Sequence, residues 1–600
     1  MEFTQTNGVS GIFNHATEER LISDRAYFLC ALVIFFGFIV STLSNLTTIG
    51  TYYEEIAQEL KRYPKVVKQV KGAIPDRDYI LEVPDYPTTG IHSIRSRVYP
   101  VWSIVWNDLR IPILINSHLG AFIHDLFLPL RAILPNTLFW IRFLMVVLWV
   151  VLILLFFTLE RRFTENADIL MAATLLWFHP YMFFVHITSI NLVETSVGIV
   201  SYITIRSFSM YEKTGSGRWG IIFLFLFGIA ISTKLTLVPS FSFLILYILL
   251  YQREPVISLV KRFWFVIPFA ILPILPPVIF VLTETPVISA SYIIHSLANL
   301  RQQATDAFIS FFLVCLAPEI FIRIVIDNLF VLRFSIIYAI FAVSAVVRAV
   351  VRAFQLMRLR QNKQVSIPLT AEEIFTLLFL GAIFVFILFY RGMMSTQCYY
   401  FLLPFFFLIQ GHFLIFAARW FRTRLYKTKM PLLMPAIVLL LFVAGSQALS
   451  FTRIISMRSQ NKNSMLSLSA QKNLTSYLEE NNIKNLFTTL QAHVGMIEFH
   501  SNGRIEPYHL YLSYEPSGPP AVDIFKLTLR NRRIKYYLFD KNKNIFSGFQ
   551  QEEKSLKDRF LQAVHTSGCS LSVEEVFKGD NSEPLLVLYH VKVCNEQDYQ

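Results

Sequence analysis

The sequence is poor in charge, glycine and cysteine, and each shortage excludes something. Charged residues are 16% of its 600 residues, against about 25% in an average globular protein. With 54% hydrophobic residues and a mean hydropathy of +0.50, the chain cannot cover its own surface with polar groups. Water-soluble multidomain architectures and disorder are therefore excluded. Glycine is scarce, 22 residues against 56 phenylalanines, which excludes a collagen-like chain. Five cysteines are too few for a disulfide scaffold. Cys30, Cys315 and Cys398 fall in or beside apolar runs, where a thiol acts as a small hydrophobe. No cleavable signal peptide is evident, because the first apolar run begins near Ala26 and is too long for one.

What the chain does have is long apolar runs. Runs able to cross about 30 Å of hydrocarbon as helix lie at 26–48, 137–159, 168–187, 188–206, 219–237, 239–252, 263–283, 328–347, 372–390, 400–418 and 431–451. The expected fold is a polytopic α-helical membrane protein of about 11 transmembrane helices. The net charge of +13 is assigned to positive-inside bias rather than to nucleic acid. Arg161, Arg162, Arg206, Lys213, Arg218, Arg253, Lys261, Arg262, Arg348, Arg352, Arg358, Arg360 and Arg419 then fall in inside loops, setting the N-terminus (1–25) inside. An odd span count places the C-terminus outside, with long outside loops at 49–136 and 284–327.

After Phe451 the composition turns polar. Helix-like stretches (464–480, 552–564) alternate with strand-like ones (484–489, 534–539, 585–593), so residues 452–600 read as an α/β domain on the outer side. Cys569 and Cys594 flank an expected terminal hairpin there, where oxidation is permitted, so that paired and free thiols are both open readings.

Candidate functional residues sit at outer-interface depth. Loop one opens on Thr51–Leu60, with helical periodicity, and closes on Ile111–Phe122 and Leu126–Leu134, read as helices lying in the membrane interface. It carries Glu54, Glu55, Asp108 and Asp125 at headgroup height, where acid–base groups serving a lipid-borne substrate would have to be. Glu54 and Glu55 also read as the solvated face of an amphipathic helix, and spacing alone favours that. Lys234, at the outer end of the fifth span, reads either as a snorkelling cation or as a counter-ion for a lipid phosphate. His186 and Glu194 lie near the third-to-fourth turn; polar capping of the helical hairpin is favoured there over a metal, and two ligands do not make a site. Arg391 faces outside, and Tyr399 and Tyr400 fit an interfacial aromatic belt.

In their order these segments resemble the GT-C superfamily of polyprenyl-phosphate-sugar glycosyltransferases, near the family 39 protein-mannosyltransferase and lipid A aminoarabinose-transferase group. Ile111–Pro129 (IPILINSHLGAFIHDLFLP) is similar to the family's first-loop segment, with Gly120 and Pro129 in place and His118 near the usual aromatic. Gly228–Thr236 (GIAISTKLT) resembles a frequent family run ending in Lys, and Tyr400–Pro404 (YFLLP) resembles a late Tyr-Leu-Leu-Pro step. The likeness covers roughly residues 26–450. It departs where the family usually has an Asp as general base: Ile49 or Gly50 stands there, leaving Glu54 and Glu55. The Arg expected before the Tyr-Leu-Leu-Pro step is also missing, with Arg391 as stand-in.

The resemblance implies inverting transfer of a sugar from a polyprenyl-phosphate donor to an envelope glycolipid, glycan or protein. The setting would be the periplasmic side of a bacterial inner membrane. It assigns the base to Glu54 or Glu55, with Asp108 next. Lys234 and Arg391 would bind the donor phosphate, and His118, Asp125, His186, Glu194, Tyr399 and Tyr400 would line the substrate. No cofactor is required, a divalent cation bridging Glu55 and the phosphate being a compatible addition, and no nucleic-acid partner is expected. Rival readings are a lipid-linked oligosaccharide polymerase or ligase, a transporter, and a non-catalytic lipid-linked-sugar binder.

Overall fold

The computed structural model describes residues 102–106, 109–116, 119–120, 138–164, 167–176, 192–233, 237–251, 253–276, 278–279, 329–363, 368–389, 401–425, 467–488 and most of 493–594. The expected spans at 26–48 and 431–451 lie outside these residues, as does the Thr51–Leu60 stretch.

Residues 102–120 of loop one form a sheet, which corrects the expectation of an interfacial helix over Ile111–Phe122, while Leu126–Leu134 lies outside the described residues. Strands β1 (Trp102–Trp106), β2 (Leu109–Asn116) and β3 (Leu119–Gly120) form an antiparallel sheet in that order. The β-branched residues Ile111, Ile113 and Ile115 recur at period two, a strand signal that the apolar content masked. Pro112 pairs with Ser103 next to a register shift between Trp102 and Ser103, an irregular place where a missing N–H is tolerated.

The helical body follows. It contains α1 (Leu138–Glu160), α2 (Ala167–Leu176), α3 (Leu192–Thr214), α4 (Gly217–Thr233), α5 (Leu237–Tyr251) and α6 (Arg253–Arg262). A 3-10 turn (Trp264–Val266) leads to the short α7 (Ile267–Ile271), and then come α8 (Leu329–Lys363), α9 (Ala371–Phe389) and α10 (Leu403–Leu425). The proline run from Pro268 breaks the expected seventh span after one turn and a half. Helix α8 runs sixteen residues past the end expected for its span, because Arg348, Arg352 and Arg358 end the apolar run without ending the helix.

Tight turns and small residues set the packing. Helices α3 and α4 pack as a hairpin around Gly215, whose φ of +62° suits the position after a helix end. A Cβ on Gly228 would lie 2.0 Å from the Ala270 carbonyl oxygen, so only glycine lets α4 approach α7. Helices α1 and α3 lie side by side in the same direction. Phe156 meets Tyr202, and Glu160 pairs with Arg206 one turn further on.

Outward faces are apolar. Leu154, Leu246, Leu250, Phe269, Leu272, Ile340, Val347 and Phe354 are all more than half exposed. Water does not solvate such a surface; lipid does. Among the described residues, Ile340–Arg360 is an unbroken 21-residue helical stretch that passes for a span by length and composition, although Arg348 and Arg352 within it suit the membrane surface rather than its core, while Val146–Glu160, Gly217–Thr233 and Leu403–Ala417 are shorter apolar helices. Inside the body α3 is polar, and Thr204 and Ser209 turn their hydroxyls onto the helix's own carbonyls of Val200 and Ile205.

The C-terminal part is an α/β unit. Helix α11 (Leu468–Glu480), β4 (Leu486–Thr488), β5 (Tyr508–His509), β6 (Tyr536–Asp540), α12 (Gln550–Thr566), β7 (Cys569–Lys578) and β8 (Pro584–Cys594) build a mixed sheet of order β5-β4-β6-β8-β7. Strands β5, β4 and β6 are parallel, and β8 and β7 antiparallel. Period-two alternation gives two cores. Phe487, Tyr537 and Phe539 pack under Phe560 of α12, while Leu486, Leu538 and Leu588 pack under Leu474 and Leu478 of α11. Ser467 caps α11 by accepting from the Ala470 N–H, and Asn482, at φ 53°, closes its far end. Cys569 is disulfide-bonded, and its register partner is Cys594.

Candidate functional site

Sequence segments more than a hundred residues apart are brought into contact in and around the helical body. Strand β3, carrying Gly120, packs against α4, the helix that runs through Gly228 to Thr233. Helix α5 begins three residues later at Leu237, and its Phe241 ring meets Phe401 edge-on at 6.0 Å. Phe401, Leu402 and Leu403 of the Tyr400–Pro404 step are buried in the same core as Leu237 and Phe241. Lys234, between α4 and α5, and Tyr400, beside Phe401, are therefore flanked by segments fixed against one another.

The hydroxyls next to Lys234 are occupied by the helix itself. Ser232 and Thr233 both donate to the Ile229 carbonyl, at 2.9 and 2.7 Å, so they hold the end of α4 and are not aimed at a ligand. Gly228 has a packing reason as well, the contact with Ala270.

The C-terminal unit borders the first turns of α1. Leu468 of α11 packs on the helical core. Arg142, fully buried five residues into α1, acts on His500 through its charge. Burial, then the charges of Lys472 and Arg142, push the His500 imidazole down to about 4, and its Nε2 stands 3.3 Å from Gln471 Oε1. A buried guanidinium at this junction was passed over in the sequence, where Arg142 reads as one charge at the start of an apolar run. No periodicity could have marked it, since its burial is a property of the tertiary packing and not of the local pattern.

A second polar cluster lies within the C-terminal sheet. Thr488 Oγ1 and His493 Nδ1 are 3.0 Å apart, and His493 Nε2 is 3.3 Å from Asp540 Oδ1. Thr488 and Asp540 end the parallel neighbours β4 and β6. With Thr488 and His493 fully buried, the trio ties strand ends together and offers no reacting group to a substrate.

Of the residues expected to act, Glu54, Glu55, Asp108, His118, Asp125, His186, Lys234, Arg391, Tyr399 and Tyr400 lie outside the described residues. Glu194 falls in the first turn of α3, and its side chain is likewise outside them. Among the described residues no three His, Cys, Asp or Glu side chains are grouped to hold a metal ion.

No protein-family model matches the sequence, and no curated protein sequence matches it. Among solved structures, the chain is similar to ArnT from Cupriavidus metallidurans bound to undecaprenyl phosphate, with 11% identity over 94% of this chain and 97% of that one and a TM-score of 0.46. The same protein in the apo state gives 12% identity, the same coverages and a TM-score of 0.46. A likeness of this size assigns neither an activity nor a residue.

Proposed function

We propose that the chain is a membrane glycosyltransferase that takes a sugar from a polyprenyl-phosphate donor and gives it to an envelope acceptor outside the cytoplasm. The observation that carries the reading is a pair of contacts: the Gly120 strand packs on the helix that contains Gly228–Thr233, and Phe401 of the Phe401–Leu403 step packs on Phe241 near the start of the next helix. These belong to the three segments on which the sequence resembles the GT-C superfamily.

In this reading an acceptor hydroxyl attacks the anomeric carbon. A new carbon–oxygen bond forms there with inversion as the bond to the phosphate oxygen breaks. The hydroxyl proton goes to Glu54 or Glu55, general-base assistance worth about 10²–10⁴ in rate. The bonding pair leaves on the lipid phosphate, whose charge Lys234 and Arg391 stabilise. The donor arrives activated, so neither a nucleotide nor a metal is needed. The N-terminus is cytoplasmic and the α/β unit lies outside; the disulfide at Cys569 supports that side, since such bonds persist in oxidising compartments.

The test is transfer from radiolabelled undecaprenyl-phosphate sugars to envelope fractions, comparing wild type with Glu54→Gln, Glu55→Gln and Lys234→Ala. One carboxylate variant is expected to lose about 10²-fold or more, and the lysine variant a comparable amount. Transfer surviving both carboxylate changes moves the base to Asp108. Absence of transfer from every donor in the wild type sinks the enzymatic reading and leaves a lipid-linked-sugar binder or transporter.

A further inference from the structure

The helical body carries a group of cations that the transfer reaction does not use. Helix α9 has 19 residues, with Glu372 and Glu373 in its first turn and an apolar remainder of about 24 Å, most of the thickness of a bilayer's hydrocarbon core. Its first turn therefore marks one headgroup level. That turn is built by a reciprocal cap: the Thr370 N–H donates to Glu373 Oε2 at 2.9 Å, and the Glu373 N–H donates to Thr370 Oγ1 at 3.3 Å. Glu373 is further matched by Arg360, whose Nε and Nη2 donate to it at 2.8 and 3.1 Å. That pair is balanced.

The neighbouring group is not. Glu372 Oε1 is 3.7 Å from Arg352 Nε and 3.7 Å from His412 Nδ1 of α10. Arg348, one turn before Arg352 on α8, lies over the Phe416 ring of α10 at 4.1 Å. Two guanidinium groups thus share one buried carboxylate that neither reaches at hydrogen-bond distance. Arg352 is 40% exposed, and Phe416 is 44% exposed. Ile340 and Val347, before the arginines on the same helix, and Val351, between them in sequence, present exposed apolar side chains. A positive charge with, among the described residues, no carboxylate of its own, stacked on an aromatic ring and near exposed aliphatics, matches a phosphate that carries acyl chains.

We propose that Arg348 and Arg352, with Phe416, hold the headgroup phosphate of an anionic phospholipid of the phosphatidylglycerol class between α8 and α10. The lipid's acyl chains run along Ile340 and Val347, and its single negative charge completes the group that Glu372 leaves short. The site rests on the membrane placement proposed above and lies on the side of the Arg-rich loops, at the end of the body away from Lys234.

The test uses the full chain, delipidated in a neutral detergent, and measures bound lipid and the unfolding temperature. Phosphatidylglycerol, phosphatidylcholine and inorganic phosphate are added separately. Phosphatidylglycerol is expected to bind and raise the unfolding temperature, and the other two to do neither. Arg348→Gln and Arg352→Gln are each expected to weaken phosphatidylglycerol binding about ten-fold or more, the loss of one charge-assisted hydrogen bond. Arg358→Gln, exposed on the same helix, leaves it unchanged. An unfolding temperature measured without lipid separates lost binding from lost folding, and Arg348→Lys, expected to retain part of the affinity, serves as the second variant. Equal binding of phosphatidylcholine, equal stabilisation by phosphate alone, or undiminished binding in both Gln variants overturns the proposal. Binding is read without donor or acceptor, so a failed transfer assay with intact lipid binding counts against the enzyme reading alone.

Discussion

A single histidine shows how placement changes a residue's chemistry. In the unfolded chain His500 has the ordinary affinity for a proton, near 6.5. In the folded chain its burial and two neighbouring cations lower that to about 4. Between these values the unfolded state binds the proton and the folded state does not, so stability falls as pH drops from about 6.5 towards 4. Thermal unfolding of the full chain at pH 7 and pH 5 should show a larger loss for wild type than for His500→Gln, which has no proton to gain. Equal losses would mean that His500 is solvated. Nothing in the local sequence Ile497–Arg504 announces this; Arg142 lies more than three hundred residues away.

At the scale of elements, most of the described helices were legible from apolar run length, and β4, β6 and β8 of the C-terminal sheet from local pattern, while β5 was not read and β7 was implied only by the expected terminal hairpin. Hydropathy failed where two structures share it. Ile111–Asn116 is as apolar as an interfacial helix, and only β-branching and the pairing with Trp102–Trp106 decide for a strand. Run length also misjudged α8, because arginine is a good helix former even where it stops an apolar run. Gly228 makes the element-scale prediction. Glycine to alanine in a helix interior usually stabilises by about 1 kcal/mol. Here the added Cβ would meet the Ala270 carbonyl oxygen at 2.0 Å, and the sign should reverse. Gly228→Ala should lower the unfolding temperature and the yield of folded protein in detergent. Unchanged or raised stability would mean that α4 and α7 do not touch there.

For the whole molecule the question is sidedness. The arginine-rich helix ends and the disulfide-bonded C-terminal unit point the same way, one by positive-inside bias and one by redox compartment. With five cysteines and one bonded pair, alkylation of the denatured, unreduced chain should label three thiols, and five after reduction. Five before reduction would remove the disulfide and its support for an outer C-terminal unit.

The sequence by itself determined the solvent of this protein, because 16% charge and 54% hydrophobic residues leave lipid as the medium for most of its surface. It also determined most helix positions and the period-two strands, since both patterns are local. The tertiary structure decided which distant segments meet: Gly120 beside α4, Phe401 against Phe241, Arg142 under the C-terminal unit, and two arginines around one glutamate. Such contacts depend on where helices cross and how closely small residues let them approach, and hydropathy along a single chain carries neither quantity.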